Sequence, residues 1–152
     1  MRTLIALVLL TAACSHNTIP GTNIPDDPQT RAVLDVFSHY KEAMETRDPN
    51  AVLSLAAPTY YDAGDVSRSR GPMDLAALQK RLPADLSKLT GLKLEVSVKD
   101  MKVEGDKANI DYFQVLRYAV KTPAGEAWHS ESDDARMRFV RVGQSWKIAS
   151  GL

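Results

Sequence analysis

The chain of 152 residues holds a single cysteine, Cys14. One cysteine excludes an internal disulfide, and a cysteine-based structural zinc site is excluded with it. Three histidines, His16, His39 and His129, are scattered without metal-ligand spacing. Missing too are a Gly-x-Ser-x-Gly elbow, a His-Glu-x-x-His helix, a phosphate loop and a dinucleotide fingerprint. No excess of either charge exists: 19 basic residues face 19 acidic ones. That balance provides no general drive towards nucleic acid or an anionic surface. Arg136, Arg138 and Arg141 do gather, but Glu131, Asp133 and Asp134 lie just upstream, and cross-strand pairing on a solvated sheet is expected. The only long apolar run, Leu4–Leu10, is too short to cross a bilayer as a stable helix. Neither cofactor nor metal is expected.

What is present begins with that run. Arg2 precedes it, and Thr11, Ala12 and Ala13 place small residues directly before Cys14. This is the layout of a signal peptide over residues 1–13. The cysteine at the cleavage point resembles a bacterial lipobox, although Thr11 stands where leucine is usual. The resemblance implies cleavage before Cys14 and its acylation, hence a membrane anchor and a cell-envelope address. In a Gram-negative cell, Ser15 after the cysteine resembles the pattern sorted to the outer membrane, facing the periplasm. Loss of Arg2 leaves a mature chain with 18 basic and 19 acidic residues. Residues 14–28 are rich in Asn, Thr, Gly, Pro and Asp, and read as a flexible tether. A single folded domain is then expected over 29–152, which suffices for one core.

Asp26-Asp27-Pro28 supplies a carboxylate cap followed by a proline whose missing N–H costs nothing at a helix start. Val33, Val36, Phe37, Tyr40 and Met44 recur at helical spacing, with Asp35, Glu42 and Glu45 turned away. Thr46–Asp48 breaks this helix, and Asp48-Pro49 caps a short second one ending near Ala56. Pro58–Asp62 reads as a strand with Tyr60 and Tyr61 on opposite faces, and residues 65–71 as a second short strand or a loop. Leu75, Leu78, Leu82, Leu86 and Leu89 mark a third helix, kinked or briefly broken at Pro83 and stopped by Gly91. From Leu92 to Val98 the chain alternates with period two, even positions apolar. Turns at Gly105-Asp106, Thr122–Gly125 and Gly143-Gln144 divide the rest into an antiparallel meander. Met101 and Val103 put odd-numbered apolar residues after the even-numbered ones. One face cannot hold both phases without an extra residue, so a bulge or bend is predicted near Lys99-Asp100.

Three stretches carry a resemblance over about residues 29–151. They are the first-helix pattern through Arg47-Asp48-Pro49-Asn50-Ala51-Val52-Leu53, then Val103-Glu104-Gly105-Asp106-Lys107-Ala108, and Met137-Arg138-Phe139 with Trp146-Lys147-Ile148. With this element order the chain resembles the nuclear-transport-factor-2-like superfamily, which includes ketosteroid isomerase and the SnoaL-like cyclases. The implied fold is an α+β cone, a curved antiparallel sheet wrapped around three helices, with a pocket at its open end. The family's isomerases use a tyrosine on the first helix, an aspartate base after the second and a protonated aspartate on a late strand. Tyr40 falls at the first position. Asp65 lies one residue from the second and Asp62 three from it, while the third falls on Ala135. Tyr40, Tyr60, Asp65, Tyr112, Leu116, Tyr118 and Phe139 are the candidate pocket residues. No catalytic set is expected, and the pocket should be mainly apolar and aromatic. Two function classes stay open: non-catalytic binding of a small apolar molecule or a protein partner, and isomerase, cyclase or dehydratase chemistry using Tyr40 with Asp65 or Asp62. A homodimer through the sheet is also left open, and no nucleic-acid partner is expected.

Overall fold

The computed structural model describes residues 17–64 and 71–152. Helix α1 spans Pro28–Glu45, α2 Pro49–Leu55 and α3 Leu75–Leu86. Two short strands, β1 (Tyr61–Asp62) and β2 (Met73–Asp74), pair with each other. Four long ones, β3 (Leu89–Glu104), β4 (Lys107–Thr122), β5 (Gly125–Val142) and β6 (Ser145–Ser150), form an antiparallel meander in sequence order. Cys14, His16 and Asp65 lie outside the described residues.

The helix caps follow from the local sequence. The Asp27 carboxylate accepts the N–H groups of Gln29 and Thr30 at 2.8 and 2.9 Å, and the Thr30 hydroxyl at 2.9 Å. Asp48 accepts those of Asn50 and Ala51 at 2.9 and 3.0 Å. Each aspartate thereby satisfies donors that a helix start leaves without partners. On α1, Val33, Phe37 and Tyr40 are buried as the stripe predicts, joined by Thr30 and Ala43. Glu45 does not simply face solvent. One of its oxygens accepts the backbone N–H of Leu94 at 3.0 Å, a donor that edge strand β3 presents with no strand beside it, and the other meets Lys41 at 2.7 Å.

The bulge falls where the change of phase demands it. Val98 pairs with Tyr112 but Asp100 pairs with Asp111, leaving Lys99 as the extra residue. Leu92 and Leu94 are buried before it and Met101 after it, all on the face towards α1. Helix α1 packs on both β3 and β6, the two outer strands of the sheet, and the sheet curves around it to allow this. The core is Val33, Phe37, Leu94, Ile110, Tyr112, Met137, Phe139 and Ile148, with the Phe37 and Tyr112 rings edge to face at 4.9 Å.

Several expectations are corrected. Helix α3 ends at Leu86; Leu89 opens β3 opposite Val120, since strand pairing prevails over the continuing leucine spacing. Gly91 is a strand residue and does not stop the helix. The Trp128 ring lies across it, and a Cβ there would come within 2.8 Å of the ring. Helix α3 runs through Pro83 without a break. The first strand starts only at Tyr61, because Pro58 and Thr59 turn and the Tyr60 N–H returns to the Ala57 carbonyl at 2.9 Å. The expected cross-strand pairing of the arginines is present at Arg136, which meets Asp111, its partner across the β4–β5 ladder. The segment read as tether is folded from Asn17: the Ile19 N–H donates to the Ile24 carbonyl at 2.9 Å, and Ile24 enters the core. Two isoleucines five residues apart give this polar stretch enough apolar surface to dock.

Hydrogen bonds from Thr30 and the helix N–H groups hold the Asp27 carboxyl below its usual range. Asp27→Ala should therefore cost about 1 kcal/mol in a urea melt at neutral pH. A depressed carboxylate contributes above its unfolded pKa and loses that contribution as pH falls through the folded one. The difference between wild type and variant should thus shrink only below the ordinary aspartate range near pH ~3.9.

Candidate functional site

The curvature of the sheet leaves a cavity of about 430 Å³ between α1, the middle of β3–β5 and the C-terminal residues. Tyr40 and Met44 reach it from α1, Leu94 from β3, Tyr112, Gln114 and Leu116 from β4, and Ala135 from β5, with Asp134, Arg136 and Arg138 of β5 at its border. The wall is therefore more polar than the expected apolar and aromatic lining. Alternation along β4 places Tyr112, Gln114 and Leu116 on one face, and register sets Ala135 opposite Tyr112. Asp62 and Gly64 border the opposite side with Ser150, Gly151 and Leu152. The volume lies in the range of small-molecule sites.

Three of the expected pocket residues, Tyr40, Tyr112 and Leu116, therefore share one cavity. Tyr60 is buried beside it; its hydroxyl accepts the Leu152 N–H at 3.1 Å and lies 3.3 Å from the Leu152 carbonyl. Phe139 sits in the core further along β5, opposite Ile148. Tyr118 lies towards the far end of β4, where its hydroxyl donates to Glu131 at 2.9 Å and its ring stacks on His129 at 5.2 Å. That bond to a carboxylate pushes the Tyr118 hydroxyl pKa up. Asp65 lies outside the described residues.

Asp62 and Asp134 are the carboxylates that border the cavity together with Tyr40. Asp62 is held by two backbone groups. One oxygen accepts the Gly64 N–H at 2.7 Å and the other the Gly151 N–H at 2.9 Å. Asp62 thus ties the strand after α2 to the end of the chain. Gly151 has φ +101°, and a Cβ there would meet the Arg136 carbonyl oxygen at 2.6 Å. At the late-strand position stands Ala135, which carries no acid. Asp134, beside it in sequence, also borders the cavity, and its carboxylate meets Lys99 at 2.5 Å. Gln114, whose amide donates to Asp133 at 2.8 Å, adds a polar group that strand alternation alone would have placed in the cavity wall. Among the described residues no three His, Cys, Asp or Glu side chains gather closely enough to hold a metal ion.

No family model matches the sequence, and no curated protein is similar to it. Solved structures are similar in three dimensions. A candidate dehydratase of the nuclear-transport-factor-2-like family from Streptomyces avermitilis superposes with a TM-score of 0.69 at 17% identity, covering 83% of this chain and 95% of its own. The domain has the nuclear-transport-factor-2-like fold. A protein of that superfamily from Salmonella enterica gives 0.66 at 10% identity over 80% and 86% of the two chains. A candidate scytalone dehydratase from Novosphingobium aromaticivorans gives 0.65 at 14% identity over 81% and 80%. At these identities the likeness is one of fold.

Gly151→Ala should destabilise the domain, since both its φ and the Arg136 carbonyl oppose a side chain. Asp62→Ala should leave the sheet intact but free the last two residues. Hydrogen exchange at the Gly151 amide reads this directly, and an amide as protected as in wild type would contradict the tie.

Proposed function

We propose that this chain is a lipid-anchored cell-envelope domain that holds a small, largely apolar molecule in its nuclear-transport-factor-2-like cavity without transforming it. The observation that carries the reading is the apolar and aromatic share of the cavity wall, Tyr40, Met44, Leu94, Tyr112, Leu116 and Ala135, which stands beside the polar residues Asp62, Gln114, Asp134, Arg136, Arg138 and Ser150. An enolate forming there would find no acid at Ala135, and loss of one such donor typically costs about 100- to 1,000-fold in rate. Asp62 has both oxygens engaged by backbone N–H groups, which supports a structural role. The anchor rests on the leader and on Cys14, the one cysteine, at the point where acylation requires it.

A second reading is favoured by one specific observation: Asp62 and Tyr40 border the same cavity. In it, Asp62 would act as a base and the Tyr40 hydroxyl as a donor, in dehydratase- or isomerase-type chemistry. Candidate dehydratases among the structural neighbours are consistent with that chemistry. A protein partner and a homodimer through the sheet belong to the proposal as well.

Two measurements test it. Wild-type chain should carry an acyl mass at Cys14 and partition with membranes, and Cys14→Ser should release it or leave the precursor unprocessed. Soluble wild-type protein without that mass would end the anchor reading. An environment-sensitive apolar dye such as Nile red should bind the chain with one-to-one stoichiometry. Ala135→Trp should abolish this by filling the cavity, while Tyr40→Phe should alter it little. Turnover of a steroid-like or polyketide-like substrate, lost in Tyr40→Phe or Asp62→Asn, would establish the enzymatic reading instead.

A further inference from the structure

A second concavity, of about 440 Å³, lies on the outer face of the sheet, away from α1. Strand register explains its composition. On that face Lys102, Asn109 and Arg138 stand side by side across β3, β4 and β5, and the next row places Glu104 beside Lys107. Thr59 and Ala149 close the groove on the β6 side. Arg136 is held by Asp111 through two bonds, at 2.5 and 2.7 Å, so its charge is largely balanced. Among the described residues Lys102, Lys107 and Arg138 are exposed and make no direct ion pair, although Asp111 lies near enough to feel the charges of Lys102 and Arg138. Glu104 is the one carboxylate of the lining, so positive charge predominates in a chain that is neutral as a whole.

The position of this groove follows from the folded N-terminal segment. The Asp26 N–H donates to the Asn17 carbonyl at 2.7 Å, which sets Asn17 beside the start of α1. Gln29, the second residue of α1, accepts a hydrogen bond from Arg141 on β5. The Arg141 N–H in turn donates to the Asp106 carbonyl at 2.8 Å, in the turn that leads directly into Lys107. Asn17, the β3–β4 turn and the groove thus occupy one end of the domain. Asn17 stands three positions after Cys14, and an extended chain of that length reaches about 10 Å. An acyl chain on Cys14 would press this end against the bilayer, within about one Debye length of its charged surface.

We infer that the end of the domain bearing the Gly105-Asp106 turn faces the membrane, and that Lys102, Lys107 and Arg138 bind the phosphates of anionic lipid headgroups. The inference rests on the lipid-anchor reading above and adds an orientation to it. Two lysines and an arginine around an amide suit a phosphodiester: Arg138 can offer a paired donor fork, the lysines point charges and Asn109 a neutral N–H. In this pose β4 and β5 run away from the membrane. The cavity's Gln114–Leu116 side lies further along β4, away from the bilayer.

The test uses the full acylated chain reconstituted into vesicles of phosphatidylcholine alone or mixed with phosphatidylglycerol. The anchor holds the protein in both, and amine labelling read by mass spectrometry reports the groove. Lys102 and Lys107 should label more slowly in the anionic vesicles than in the neutral ones. Lys121, exposed at the far end of β4, should label equally in both. Arg138→Gln should weaken that protection about fivefold, the effect of one cation at an anionic surface. Equal labelling of Lys102 and Lys107 in the two vesicle types would overturn the inference. So would equal protection by inorganic phosphate in detergent micelles, which would make the groove a site for free phosphate. If Cys14 carries no acyl mass, the anchor reading fails separately. Protection of the same lysines by added phosphatidylglycerol vesicles would then still uphold the groove, and its absence would overturn it.

Discussion

Lys99 is the residue on which the shape of this domain turns. An antiparallel ladder repeats every two residues, and a strand that places Leu92, Leu94, Val96 and Val98 inward would expose Met101 and Val103. One residue left out of the pairing restores both of the latter to the inner face, with Met101 buried. The same insertion bends the strand and increases its twist. A flat sheet would present α1 with two or three strands at most, whereas this one brings β3 and β6 to the same helix. The fit of helix into curved sheet buries Phe37 against Tyr112 and leaves the cavity beyond them unfilled. Core, curvature and cavity therefore depend on this irregularity, alongside the further register shifts at Leu89/Gly91 and Arg138/Phe139.

The two faces of the sheet then acquire different chemistry from the same strands. Inward positions on β4 and β5 are apolar where α1 covers them and become polar beyond it, at Gln114, Tyr118, Glu131 and Asp133. Outward positions are charged, and their pairing is set by register. Asp111 meets Arg136 directly opposite, and the guanidinium holds its carboxyl below the usual range. The neighbouring row lacks an acid, so Lys102 and Arg138 are left facing each other across Asn109. A chain with no net charge thus carries a local excess of one sign, which composition alone conceals.

Legibility of the site differed from residue to residue for physical reasons. Tyr40 lies on a helical stripe, and Tyr112 and Leu116 on a strand with clear alternation, so their shared face could be read from spacing. The residues closing the cavity, Asp62, Gly64 and Gly151, sit in a two-residue strand or in irregular chain, too short to show a period that would betray their direction. What fixes Asp62 is a hydrogen bond to Gly151, 89 positions away. Tyr118 shares the face of Tyr112 but lies too far along β4 to reach the cavity, because alternation gives the side of a strand and not the extent of what covers it.

The sequence by itself determined where the chain turns and caps, since Asp27-Pro28, Asp48-Pro49, Gly105-Asp106 and Gly143-Gln144 act through hydrogen bonds and backbone angles a few residues away. It also determined that a bulge was needed near Lys99, because the conflict of phase is contained within a single strand. Tertiary structure alone decided where α3 yields to β3, since Leu89 has a helical spacing behind it and a strand partner, Val120, 31 positions ahead. It alone decided that Asn17–Asp27 folds back and does not hang free, because Ile24 needs a core to enter and that core is built from strands later in the chain. Local rules act over a few residues, whereas the groove, the cavity and the position of the N-terminal segment arise from contacts between residues tens of positions apart, and no short window of sequence contains both partners.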